Sequence, residues 1–157
     1  MKKISIYILI ILGISIICYF MFHQKEKSLE ETGIIVSGCF NSDISKTNVD
    51  LNQAKSEDLT IKVNNSCTNK YKYYLVISVK NKSSDDSLVK IKVNDDTKKL
   101  TDFDKNTRFN VSPGYLNSYI LDEGEIKSND SITYKINVSS NKKIKWESEF
   151  KVVGAIS

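Results

Sequence analysis

Histidine is almost missing from this chain, which has one, His23. That residue abuts the longest apolar run, so neither a histidine-based triad nor a two-histidine zinc site can be built in the region that follows it. Proline is equally rare, with Pro113 alone, and no internal similarity occurs at the usual solenoid periods. A dominant charge is lacking too. The 23 Lys and Arg face 19 Asp and Glu, for a formal net charge of +4. The two signs are interspersed, so nucleic acid is not an expected partner and a solvated mixed surface is.

What the chain does have is one long uncharged stretch. Ile4 to Phe22 is about nineteen residues of apolar or hydroxyl side chains, enough to cross a bilayer core of roughly 30 Å as a helix. Lys2 and Lys3 precede it and a mixed-sign segment follows, which places the N-terminus in the cytoplasm and the remainder outside. The run is a membrane helix or a signal peptide. Tyr19-Phe20-Met21-Phe22 supplies no small residues for a signal peptidase at its end, which favours an uncleaved anchor. The organisation expected is a cytoplasmic 1–3, an anchor 4–22 held in membrane lipid, a charged stalk 23–32, and one extracellular domain over 33–157.

Within that domain the hydrophobic period is two. Leu59, Ile61 and Val63 alternate with Thr60, Lys62 and Asn64; Tyr71, Tyr73, Leu75, Ile77 and Val79 share a face; Val89, Ile91 and Val93 alternate with lysines. Ile132, Tyr134, Ile136 and Val138 define a later strand, and Ile144, Trp146, Phe150 and Val152 the last. Tyr115 to Asp122 makes another, with a turn at Asp122-Glu123-Gly124-Glu125. Gly33 to Phe40 reads as the first strand, and Asn41 to Asn52 as a loop with a short strand at Val49–Leu51. Gln53 to Glu57 reads as a single helical turn, and Lys98 to Ser112 as irregular. Seven or eight strands with almost no helix predict an all-β fold, an antiparallel β-sandwich of jelly-roll or Ig-like type.

Three cysteines remain to be placed. Cys18 lies in the apolar run, as inert filler or a lipid attachment point. Cys39 and Cys67 form the one exported pair, and an oxidising compartment predicts a disulfide between them. Closing a loop of about 29 residues stabilises a fold by roughly 3–4 kcal/mol in the chain-entropy account. Val36-Ser37-Gly38-Cys39 also fits a lipoprotein signal, but the charged stretch from His23 to Glu31 separates it from the apolar run. Asp85-Asp86, Asp95-Asp96 and Asp102-Phe103-Asp104 lack the spacing and glycine of a calcium loop and read as turns. Tyr71, Tyr73 and Tyr74 read as a core margin, with a ligand platform as the other reading. No catalytic, cofactor-binding or metal-ligating residue is assigned.

Ser37-Gly38-Cys39, then Leu59 to Cys67, the tyrosine-rich strand Tyr71 to Val79, and Ser118 to Tyr134 together resemble TasA/camelysin-like surface proteins of Gram-positive bacteria, in a membrane-anchored branch with paired cysteines. The resemblance implies a jelly-roll-like sandwich on the cell exterior that in some members joins matrix fibres by lending a strand to a neighbour. Here Glu31 to Val36 would be the donor. The peptidase activity described for some members is not implied, because the chain has no His-Glu-x-x-His helix. The expectation is a non-enzymatic, anchored surface protein making envelope, matrix or homotypic contacts, through strand exchange or with another cell-surface protein. The alternative is an extracellular binding module for a small ligand, sugar or metal.

Overall fold

Alternating β-branched and polar residues can bury one face of each strand only if a second layer covers it, and the described residues solve this with two five-stranded sheets. The computed structural model describes residues 38–52, 55–80, 85–111 and 113–156, all within one compact unit, Gly33–Ser157. The expected anchor Ile4 to Phe22, the stalk and most of the expected first strand lie outside the described residues. No helix among the described residues is long and apolar enough to cross a membrane.

The strands are β1 (Phe40–Ile44), β2 (Asn48–Asp50), β3 (Ser56–Asn65), β4 (Tyr71–Val79), β5 (Val89–Val93), β6 (Asp96–Lys99), β7 (Asp104–Lys105), β8 (Asn117–Ile126), β9 (Asp130–Ser140) and β10 (Glu147–Ile156). One sheet runs β1-β3-β9-β5-β6 and the other β2-β10-β4-β8-β7, with every pairing antiparallel. The expected inward residues meet in one core. Leu59, Ile61, Val63, Leu75, Ile77, Val79, Val89, Ile91, Tyr134, Ile136, Val138, Trp146 and Phe150 all belong to it.

Several local expectations are corrected. Phe40–Ile44 is a strand where a loop was expected from Asn41 onward, because an edge strand takes its backbone partners from β3 and needs little apolar content of its own. Ser56 and Glu57 open β3 and are not a helical turn. Asp122 to Glu125 continues β8, and the turn falls at Lys127 to Asn129, where Asn129 takes φ 57°. Asn94, at φ 53°, makes the β5–β6 turn. The described residues form ten strands rather than seven or eight, since Lys98 to Ser112 contributes to β6 and supplies the two-residue β7.

One irregularity reorients half a strand. Leu75 pairs with Asp122 but Val76 pairs with Ile120, so Leu121 is an extra residue, a bulge. Before it Tyr119 and Leu121 face the core; after it Gly124 and Ile126 do. The inward parity switches at the bulge, and that switch brings Asp122 to the inner side.

Candidate functional site

Cys39 stands just before β1 and Cys67 just after β3, and the first pair of that ladder is Phe40 with Asn65. The expected bridge is present: Cys39 and Cys67 form a disulfide with Cα atoms 5.0 Å apart. Polar contacts hold the same corner. Ser66 donates its backbone N–H (2.8 Å) and its hydroxyl (2.9 Å) to the Cys39 carbonyl. Asn65, only 1 % exposed, donates through Nδ2 to the carbonyls of Asn69, Ile126 and Lys127 and accepts from the Cys67 N–H. Ser128 Oγ donates to the Cys67 carbonyl at 2.7 Å. The staple therefore fastens an edge strand to a corner that is itself tied to the β8–β9 turn.

Next to this corner the two sheets leave a cleft of about 650 Å³, walled by Phe40–Ile44 on one side and Glu149–Gly154 on the other, with Thr47 at one end. The ladder bonds show which way its backbone faces. Glu147 accepts from Lys80 N–H on the β4 side, and Phe150 N–H donates to Thr47 on the β2 side, so alternation turns the peptide groups of Val152 and Gly154 away from β4. β2 pairs only with Glu147 to Glu149, and among the described residues no strand covers this edge further along. Across the cleft, Ser45 N–H donates to Thr60 and Cys39 accepts from Ser66, which turns the peptide groups of Ser42 and Ile44 away from β3. The Phe40 ring closes one end, stacked on Tyr71 at 5.1 Å and lying over Gly154, where any Cβ would collide with it. The other edges are blunted: β6 is wholly exposed and carries Asp96, Lys98 and Lys99, and β7 has two residues.

Behind the cleft the core holds two polar knots. Asp86, fully buried, accepts from Tyr119 Oη (2.8 Å), Asn117 Nδ2 (3.2 Å) and Trp146 Nε1 (3.2 Å). Tyr134 Oη donates to Asp122 at 2.6 Å and, having spent its proton, accepts from Tyr73 Oη at 2.6 Å. Gly124 leaves room for that contact, because a Cβ there would lie 2.8 Å from Tyr73 Oη. Burial, reinforced by the neighbouring carboxylate, raises the phenol pKa of Tyr119 and of Tyr134 well above the ordinary range. Burial also raises that of Tyr73.

The acidic pairs singled out in the sequence are scattered. Asp86 is the buried acceptor just described, and Asp96 pairs with Lys98. No group of three His, Cys, Asp or Glu that could hold a metal occurs among the described residues. Tyr71 and Tyr73 point into the core, while Tyr74, 8 % exposed, faces outward beneath Phe109 at 4.7 Å. The three do not form a common platform. His23 lies outside the described residues. Sequence reasoning missed Asp122 as an inward acceptor and missed the cleft itself; the only hint was that core parity reads Tyr119, Leu121 and then Gly124, Ile126. No protein-family model, curated protein or solved structure matches the chain.

Proposed function

We propose that this chain is a non-enzymatic cell-surface protein, held in membrane lipid through residues 4–22, whose disulfide-stapled domain makes homotypic, envelope or matrix contacts by accepting a β-strand in the cleft between β1 and β10. The observation that carries this reading is the open edge of β10. Peptide groups that face no strand among the described residues are a template for strand addition, and here they line a cleft beside edges that are otherwise blunted. The winding supports a jelly-roll-like reading: of the connections between the described strands, all but β5 to β6 and β7 to β8 change sheets. The occupant proposed is Glu31 to Val36 of a second copy, a short β-branched segment that immediately precedes the stapled corner. The TasA/camelysin-like resemblance of the sequence points the same way.

The test is self-association of the full chain in uncharged detergent micelles, measured by analytical ultracentrifugation across a concentration series. Val152→Pro removes an N–H that faces the cleft and leaves the β4 ladder intact. Association is expected for the native chain and is expected to be lost both in Val152→Pro and on deletion of residues 31–36. A chain that stays monomeric throughout, or a variant that associates as well as the native chain, would sink the proposal.

A further inference from the structure

Charges that are mixed along the sequence are sorted by sheet in three dimensions. Around the outer face of the β2-β10-β4-β8-β7 sheet, cations meet anions. Lys70 pairs with Glu125, Lys72 and Arg108 with Glu123, Lys80 with Glu147, and Lys151 with Glu149. The outer face of the other sheet is different. Lys99, Lys90, Lys92, Lys135 and Lys62 are exposed, and none of the five joins an ion pair among the described residues.

Strand register sets these five in a diagonal row. Lys99 is directly opposite Lys90, and Lys92 follows two residues along β5. Asn137 is opposite Lys92, which puts Lys135 one step further on β9; Thr133 is opposite Lys62, which puts Lys62 a step beyond that on β3. With strands about 4.8 Å apart and about 6.8 Å per two residues, neighbours in the row are separated by roughly 5–8 Å. Like charges directly opposite in a ladder oppose folding, and an anion lying between Lys90 and Lys99 relieves that repulsion. A shallow hollow of about 500 Å³ lies in the row between Lys92 and Lys135, with Asn94 and Thr60 at its wall. The acids nearby are few: Asp58 accepts from Asn137 Nδ2 at 2.8 Å, Asp95 lies at the hollow, and Asp43 stands opposite Lys62 at the far end.

We propose that this row binds a linear polyanion, a polymer carrying phosphate or carboxylate groups at intervals along its length. A rigid sheet fixes the lysine spacing in advance, so little order is lost when a chain of anions lies across it. The row is narrow, holds a hollow and has no apolar residue to insert, which suits a polymer better than a bilayer; the exposed large hydrophobic Leu116 lies before β8, off this face. The proposal is independent of the cleft and of the membrane anchor.

Inorganic polyphosphate titrated into the full chain in uncharged detergent micelles, at several salt concentrations, tests it. The triple variant Lys90→Gln, Lys92→Gln, Lys135→Gln is expected to weaken binding roughly tenfold or more and to flatten its salt dependence. Lys72→Gln, Lys80→Gln, Lys151→Gln removes the same charge from the other face and is expected to change binding less than about twofold. Without polyphosphate, Lys90→Gln alone is expected to raise the melting temperature by relieving the repulsion from Lys99. Equal losses in the two triple variants would mean that net charge alone attracts the polymer, and would overturn the proposal. So would an absence of polyphosphate binding, including the case where vesicles of phosphatidylglycerol are bound instead.

Discussion

Tyr134 on β9 donates a 2.6 Å hydrogen bond to Asp122 on β8, joining the two sheets through a carboxylate that a bulge has turned inward. Tyr73 on β4 donates in turn to Tyr134, so the three groups form a chain with Tyr134 in the middle.

The middle position predicts an asymmetry. Tyr134→Phe leaves both Asp122 and the Tyr73 hydroxyl without their shared partner inside the domain, and should cost about 2–3 kcal/mol; Tyr73→Phe removes only the terminal donor and should cost about 1 kcal/mol. Urea unfolding of both variants compares them. Equal costs would contradict the order of donors given above.

Asp86 is the second internal anchor, with donors from Tyr119, Asn117 and Trp146. Asp86→Leu removes the acceptor and strands all three donors, for a loss of about 3 kcal/mol or more. Trp146 is the chain's one tryptophan and is fully buried, so its fluorescence reports unfolding directly, and a red-shifted native spectrum is expected in the variant. An unchanged denaturation midpoint would count against the role given to Asp86.

Strongly alkaline solution should unfold the domain. The phenols of Tyr73, Tyr119 and Tyr134 are raised in the folded state, so the folded form keeps protons that the unfolded form releases above its ordinary phenol pKa near 10. Their contribution is fully present below that pH and is lost as pH rises past it. Tyrosinate absorbance should therefore show a late stage, in which Tyr73, Tyr119 and Tyr134 ionise together with loss of far-ultraviolet structure. Ionisation of all tyrosines before any unfolding would refute it.

The disulfide should matter most to β1. Cys67 is held independently through Asn65 and Ser128, whereas β1 has one neighbouring strand among the described residues, β3. Cys39 and Cys67 should resist alkylation until reduced, and Cys39→Ala with Cys67→Ala should lower stability by roughly 3–4 kcal/mol. Hydrogen exchange should then rise in Phe40–Ile44 before it rises in β3. Uniform exchange across both strands would remove the special link between the bridge and the edge.

The sequence alone carried the strand class and most of the core, because alternation at period two is a local property that each strand displays by itself. Tyr71 to Val79 and Ile132 to Val138 were legible on that ground, and the pairing of Cys39 with Cys67 was expected from their count outside the apolar run together with an expected oxidising compartment. β1 was not legible: its polar residues alternate weakly, and only the ladder to β3 makes them a strand. Asp122 was hidden because one extra residue, Leu121, switches the facing of everything after it, and the change of parity from Tyr119 and Leu121 to Gly124 and Ile126 is its one local trace. The row of lysines outside any ion pair among the described residues, and the edge of β10 that no described strand covers, were decided by the tertiary structure, since both depend on which distant strands become neighbours and in what register, and that is settled by packing two sheets together rather than by the order of residues within any one strand.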